Sequence, residues 1–86
     1  MSIDYLADLA DMGKKIRAIR KSYRETQVAL AERAGIRRQT LSDLENGKNA
    51  SLQTLLAVLT ALKRRLAIVD ERPNLDNLAE IFSDDE

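Results

Sequence analysis

Residues 26–47 read TQVALAERAGIRRQTLSDLENG, and this stretch carries the signals that decide the fold. Thr26 is a natural N-cap for a short helix over about residues 27–34. Gly35 can end that helix in the left-handed conformation, which glycine adopts without steric cost. A second short helix over about residues 37–46 starts with polar residues and runs into an Asn-Gly stop signal. Two short helices joined by a glycine turn predict a helix-turn-helix.

Helical spacing of apolar residues continues on both sides of this motif. Asp8 is positioned to cap a first helix, Ser51 to cap a fourth, and Gly13 is expected to weaken the first helix locally. The apolar positions of the first helix are Leu9, Met12, Ile16, Ile19 and Tyr23, and those of the fourth are Leu52, Leu55, Leu56, Leu59 and Leu62. The pattern predicts an all-α fold, a compact domain of four to five helices over about residues 12–62 that follows an N-terminal lead-in at residues 1–11.

The segment after the fourth helix, residues 65–70, is short, aliphatic and β-branched near its end, which favours a strand. The backbone of a strand needs hydrogen-bond partners, and the sequence offers no second strand. The simplest partner is a second copy of the chain, so we predict a homodimer joined by a two-stranded ribbon. Its dimerisation residues would be Leu66, Ala67, Ile68 and Val69. An extension of the fourth helix through this segment is the alternative.

Residues 71–86 form an acidic C-terminal tail. Apolar residues in it recur at helical spacing, at Leu75, Leu78, Ala79 and Phe82. A short docking helix and a tail without fixed structure fit this pattern equally well.

The formal charges of the chain cancel, with 14 Lys and Arg against 14 Asp and Glu, but they are unevenly distributed. Residues 12–65 carry 13 of the basic residues and 4 of the acidic ones, an excess of nine positive charges, whereas both flanking segments are acidic. A basic body between acidic ends indicates binding to a polyanion such as nucleic acid. The alternative is an ordinary solvated surface with acidic ends.

The amino-acid composition argues against several other functional classes. The chain has no Cys and no His, so it lacks disulfides, the usual zinc ligands and an imidazole for general base catalysis. An enzyme is therefore disfavoured, and we expect no metal or cofactor. Two Tyr and one Phe are too few for a base-stacking platform that binds single strands. No apolar run approaches the roughly 20 residues of a membrane span and the N-terminus has no signal pattern, so we expect a soluble cytoplasmic protein.

The stretch TQVALAERAGIRRQTLSDLENGKNASLQTLLAVLTAL resembles the DNA-binding domain of the lambda-repressor and Cro-like helix-turn-helix family. The likeness covers about residues 12–62, and turn, core and cap positions agree together. In that family the second motif helix enters the major groove, and its N-terminal residues contact base edges. The resemblance therefore implies that the base-reading residues of this chain are Arg37, Arg38, Gln39, Ser42 and Asp43.

The chemistry of these side chains suits base reading. Arginine can donate two hydrogen bonds to guanine O6 and N7, and glutamine can pair with adenine N6 and N7. Adjacent helical residues point about 100° apart, so one arginine can hold a phosphate instead, and we favour Arg38 over Arg37 for the base. Asp43 departs from the neutral amides often found at its position in the family. It would accept a hydrogen bond from cytosine N4 or repel phosphate.

The same resemblance implies contacts to the DNA backbone and one internal ion pair. Gln27, at the start of the first motif helix, matches a family position that binds phosphate with help from the helix dipole. Arg20 matches a position that pairs with the glutamate at Glu45 and so ties the first helix to the third. The implied phosphate-binding residues are Gln27, Thr40, Asn46, Lys48 and Asn49. We expect solvated surface positions for Arg17, Arg24 and Arg33.

The segment RRLAIVD after the fourth helix is similar to that of the HipB-type antitoxins, which dimerise through such a strand and repress their own operon. Their usual partner is a HipA-type serine/threonine kinase toxin, which the complex holds inactive. The leading hypothesis is thus a homodimeric transcriptional repressor that binds a palindromic double-stranded DNA operator and serves as an antitoxin. The alternatives are a phage-type repressor or restriction-modification controller without a toxin, and an interaction adaptor that has lost DNA binding.

Overall fold

The computed structural model describes residues 6–70, and this part of the chain contains four α-helices and no β-strand. The helices are α1 (Leu9–Ser22), α2 (Gln27–Ala34), α3 (Arg38–Glu45) and α4 (Leu52–Ala61). The predicted all-α class is therefore confirmed. None of these helices is long and apolar enough to cross a membrane. The helical spacing noted in the acidic tail, residues 71–86, lies outside the described residues.

Three of the four helices begin at the predicted side-chain caps. Asp8, Thr26 and Ser51 each accept a hydrogen bond from the backbone N–H three residues further on. Such a cap satisfies a donor that helical geometry leaves unpaired in the first turn and contributes about 1 kcal/mol. In α3 the cap position is occupied by Arg37, whose side chain makes no capping hydrogen bond. The start of α3 therefore depends on contacts with the rest of the fold.

All four helices of the described region end with one residue in the left-handed conformation. These residues are Arg24, Gly35, Gly47 and Lys63, with φ angles of 55°, 72°, 74° and 59°. The N–H of the next residue returns in each case to a carbonyl five residues earlier, which pairs Glu25 with Arg20, Ile36 with Ala31, Lys48 with Asp43 and Arg64 with Leu59. The predicted turn at Gly35 is confirmed. At the two positions without glycine the conformation costs about 1–2 kcal/mol, which tertiary contacts must offset.

The hydrophobic core lies where the four helices meet. Its buried side chains are Ile16, Ile19, Leu30, Ala31, Leu41, Leu44, Val58, Leu59 and Leu62. On α3, Leu41 and Leu44 are fully buried, so the opposite edge of that short helix faces outward. The predicted apolar side of α4 is only partly buried, since Leu52 is 62% exposed and Leu56 is 42% exposed.

The end of α4 excludes one of the two interpretations of the segment that follows it, the extension of the fourth helix. The helix ends at Ala61, so it does not continue through residues 65–70. Arg33 donates a hydrogen bond to the Ala61 carbonyl and Arg64 donates one to the Leu62 carbonyl, which satisfies acceptors that a longer helix would have used. Within the single described chain the segment is neither helix nor strand. The predicted strand and its pairing across a dimer therefore remain a proposal.

Gly13, which was expected to weaken the first helix locally, lies inside α1 and is buried. It faces the carboxyl end of α3. A Cβ atom at this position would overlap the carbonyl oxygen of Leu44 and lie 2.7 Å from that of Glu45. The missing side chain therefore allows α1 and α3 to approach closely.

We predict that Gly13→Ala lowers the free energy of unfolding by about 1–3 kcal/mol, because the added methyl group overlaps backbone atoms that cannot rotate away. Helix propensity alone predicts the opposite, a gain of about 1 kcal/mol. Urea denaturation measures the difference, and the exposed neighbour variant Lys14→Ala should change stability by no more than about 0.5 kcal/mol. A Gly13→Ala chain more stable than wild type would show that the two helices do not touch here.

Candidate nucleic-acid interface

The outward edge of α3 presents the residues predicted to read bases. Arg37, Arg38 and Gln39 are exposed at its start, while Ser42 and Asp43 are half-buried one turn later. Of the predicted phosphate ligands, Thr40 and Gln27 are half-buried, and three are exposed, namely Asn46, Lys48 and Asn49. The buried leucines on the opposite side of α3 fix this edge toward solvent.

An ion pair at the other end of α3 anchors this edge to the rest of the fold. Arg20 of α1 donates to both carboxylate oxygens of Glu45, with Nε to Oε2 at 2.7 Å and Nη2 to Oε1 at 3.0 Å. Their side chains are only 10% and 2% exposed. The hydrogen bonds to Glu45 raise the pKa of Arg20. The predicted contact between the first and third helices is present, and its two-pronged geometry restricts both rotation and sliding of α3.

Gln27 joins α2 to the same carboxylate. Its side-chain Nε2 donates to Glu45 Oε1 at 3.1 Å, a contact that the sequence did not reveal because the two residues lie 18 positions apart. Gln27 thus links the two motif helices in addition to its predicted place at a phosphate. The backbone N–H groups of Gln27 and Val28 precede the first helical hydrogen bond of α2, from Leu30 to the Thr26 carbonyl. They remain available as donors at the positive end of the helix.

A groove of about 500 Å³ runs between the start of α2 and the edge of α3. It brings together three predicted DNA contacts, Gln27, Arg38 and Asn46, beside the anchoring pair Arg20 and Glu45. Its lining is completed by Arg17, Thr26 and Val28. Arg17 is exposed, as expected for a solvated surface residue, and its place in this groove also makes it a candidate phosphate ligand. Arg17 lies three residues before Arg20, on the same side of α1, and this spacing could have indicated that both residues line one groove.

Two of the predicted base-reading residues bind each other. Gln39 Nε2 donates to Asp43 Oδ1 at 2.9 Å, across one turn of α3. Neither Arg37 nor Arg38 forms an ion pair with another residue in the range 6–70. The start of α3 therefore carries two guanidinium groups that form no ion pair with the described residues, followed by a hydrogen-bonded amide and carboxylate.

Arg33 is exposed, as expected, and its side chain also makes contacts that hold parts of the fold together. Its guanidinium pairs with Glu25, with Nε to Oε2 at 2.8 Å and Nη2 to Oε1 at 2.7 Å, and it also donates to the Ala61 carbonyl. The hydrogen bonds from Arg33 lower the pKa of Glu25. This cluster ties the loop after α1 to the end of α4, and none of these three residues lines the groove beside α3.

Comparison with known proteins agrees with this geometry. A family model described as helix-turn-helix matches residues 16–69, well over half of the chain. The chain belongs to the helix-turn-helix family. This assignment confirms the predicted resemblance, and the matched range contains α2, α3 and the groove between them.

Three relatives indicate what this helix-turn-helix chain is similar to. The immunity repressor protein of Bacillus phage phi105 is 48% identical over 62 residues, which cover 70% of this chain but only 43% of the phage protein. A solved complex of HipB with an O2 20mer has a TM-score of 0.76 at 25% identity, over 83% of this chain and 100% of the HipB chain. The restriction-modification controller protein C.AhdI from Aeromonas hydrophila has a TM-score of 0.62 at 31% identity, over 66% of this chain and 88% of C.AhdI.

Proposed function

We propose that this helix-turn-helix protein represses transcription by binding a palindromic double-stranded DNA operator as a homodimer. The observation that carries the proposal is the shared groove, in which the start of α2 and the exposed edge of α3 are held together by the Glu45 carboxylate. Such an arrangement can place α3 in the major groove while the N-terminus of α2 contacts a phosphate.

The exposed cations of the groove have complementary roles in this proposal. Arg38 donates to guanine O6 and N7, and Arg37 holds the DNA backbone beside it. Arg17 contacts a phosphate from the α1 side of the groove. Because Arg20 is neutralised by Glu45, it contributes structure rather than affinity. Further phosphate contacts come from Thr40, Asn46, Lys48 and Asn49, which the structure places on α3 or directly after it.

The homodimer is supported by apolar side chains that the single chain leaves in water. Ile68 is fully exposed, and Leu66 and Val69 are 48% and 54% exposed, as measured in one copy of the chain. Pairing residues 66–69 with the same segment of a second copy would remove these side chains from water and satisfy the backbone. The two reading helices would then be related by a two-fold axis, which matches a palindromic operator.

Within this function we favour the role of antitoxin to a HipA-type kinase toxin, because the likeness to HipB extends over the whole HipB chain. The second candidate is a repressor or controller without a toxin, and the 48% identity to the phage immunity repressor supports it. Copurification of the chain with the product of a neighbouring kinase-like reading frame would support the antitoxin role, and its absence would favour the second candidate.

We predict that Arg38→Ala weakens binding to the best duplex by about 1–3 kcal/mol and removes base preference at one position of each half-site. Arg17→Ala should instead weaken binding to all sequences equally and reduce the slope of log affinity against log salt by about 0.9, as expected when one phosphate contact is lost. Fluorescence anisotropy with duplexes that differ at single base pairs measures both effects.

Lys21→Ala is the control for these variants, because Lys21 is exposed on α1 and does not line the groove. It should leave base preference unchanged. Arg38→Ala with wild-type base preference at every position would contradict the role assigned to Arg38. A wild-type affinity that does not fall with salt would contradict the proposed phosphate contacts, and a wild-type chain that binds no duplex would contradict DNA binding itself.

We also predict that Ile68→Lys shifts the chain from dimer to monomer, because pairing two copies would bring two ammonium groups into an apolar contact. Sedimentation equilibrium measures the mass. Gln53→Lys adds the same charge at an exposed position of α4 and should remain dimeric. A dimeric Ile68→Lys chain would mean that the interface lies elsewhere.

A further inference from the structure

Gln39 and Asp43, two of the side chains of α3 that we propose to face bases, form a hydrogen bond with each other. Gln39 Nε2 donates to Asp43 Oδ1 at 2.9 Å. An ionised carboxylate offers only acceptors, so the nitrogen of the Gln39 amide faces Asp43 and its oxygen faces away. The charge on Asp43 therefore determines which way the Gln39 amide is turned.

The pair consequently presents mainly acceptors to its surroundings, because one of the two amide N–H groups of Gln39 is used by Asp43. Gln39 is exposed and Asp43 is half-buried, and no cation among residues 6–70 forms an ion pair with Asp43. Gln39 Oε1 and the second carboxylate oxygen of Asp43 are left without donors from this part of the chain. Arg37 and Arg38, at the start of the helix, supply only donors. The outward edge of α3 thus has a donor end followed by a patch with more acceptors than donors.

We propose that Asp43 is a positioning residue that makes Gln39 select a base with a major-groove amino group, adenine or cytosine, over guanine and thymine. This inference rests on the proposed DNA-binding function and adds a half-site preference to it. Guanine O6 and N7 and thymine O4 are acceptors, so Gln39 Oε1 would repel them and only the single amide N–H that Asp43 leaves unused could bind them. A glutamine freed from Asp43 can turn its amide over and donate to those bases.

The test uses the full chain and duplexes selected from a randomised library at one fixed salt concentration. Gln39→Ala identifies the base pair that Gln39 contacts, as the position where preference is lost. There we expect wild type to bind adenine or cytosine duplexes about fivefold to a hundredfold more tightly than guanine or thymine duplexes. In Asp43→Ala and in the isosteric Asp43→Asn that ratio should fall below about threefold, since neither residue fixes the direction of the amide.

The base preference that depends on Arg38 is the internal control, because it keeps its size in both Asp43 variants as long as α3 remains folded and docked. Preference of the wild-type chain for guanine or thymine at the Gln39 position would overturn the inference alone. A ratio that neither Asp43 variant changes, or a Gln39→Ala chain that loses no preference, would do the same. A wild-type chain that binds no duplex would overturn the proposed function together with the inference.

Discussion

The buried carboxylate of Glu45, at the end of α3, is the interaction on which the rest of the candidate surface depends. Arg20 of α1 and Gln27 of α2 both donate to it, so a single charged group joins three helices. A buried charge without partners is costly, and for that reason the carboxylate retains both donors. The eight residues of α3 have no side-chain cap and are too few to form a stable helix in isolation. Their orientation is therefore imposed by the Glu45 contacts and by the buried leucines of the same helix.

This constraint also divides the arginines into two groups. Arg20 and Arg33 each bind a carboxylate and a backbone carbonyl within the fold. Arg17, Arg37 and Arg38 are exposed and form no ion pair with another residue of the described region. A count of charges along the sequence cannot separate the groups, because it gives only the excess of positive charge in residues 12–65. The fold leaves the second group on the surface that we assign to DNA.

Features set by neighbouring residues could be predicted from the sequence. The three side-chain caps and the turn at Gly35 follow from local hydrogen bonding and backbone freedom, and all of them are present. The Arg20 contact with Glu45 came from family resemblance, because residues 25 positions apart cannot be paired by spacing. The bond from Gln27 and the close approach at Gly13 were not predicted, since both depend on how whole helices pack. The hydrogen bond from Gln39 to Asp43 was not predicted either, although the sequence could have indicated it, because the two residues lie four positions apart in one helix.

The dependence on Glu45 is tested most directly by the free energy of unfolding of Glu45→Gln, measured by urea denaturation beside Glu32→Gln, an exposed position of α2. Removing the charge leaves the guanidinium of Arg20 buried without its counter-ion, so we expect a loss of about 3–5 kcal/mol. The control should lose no more than about 0.5 kcal/mol. A Glu45→Gln chain as stable as wild type would contradict the conclusion that this carboxylate holds the reading helix in place.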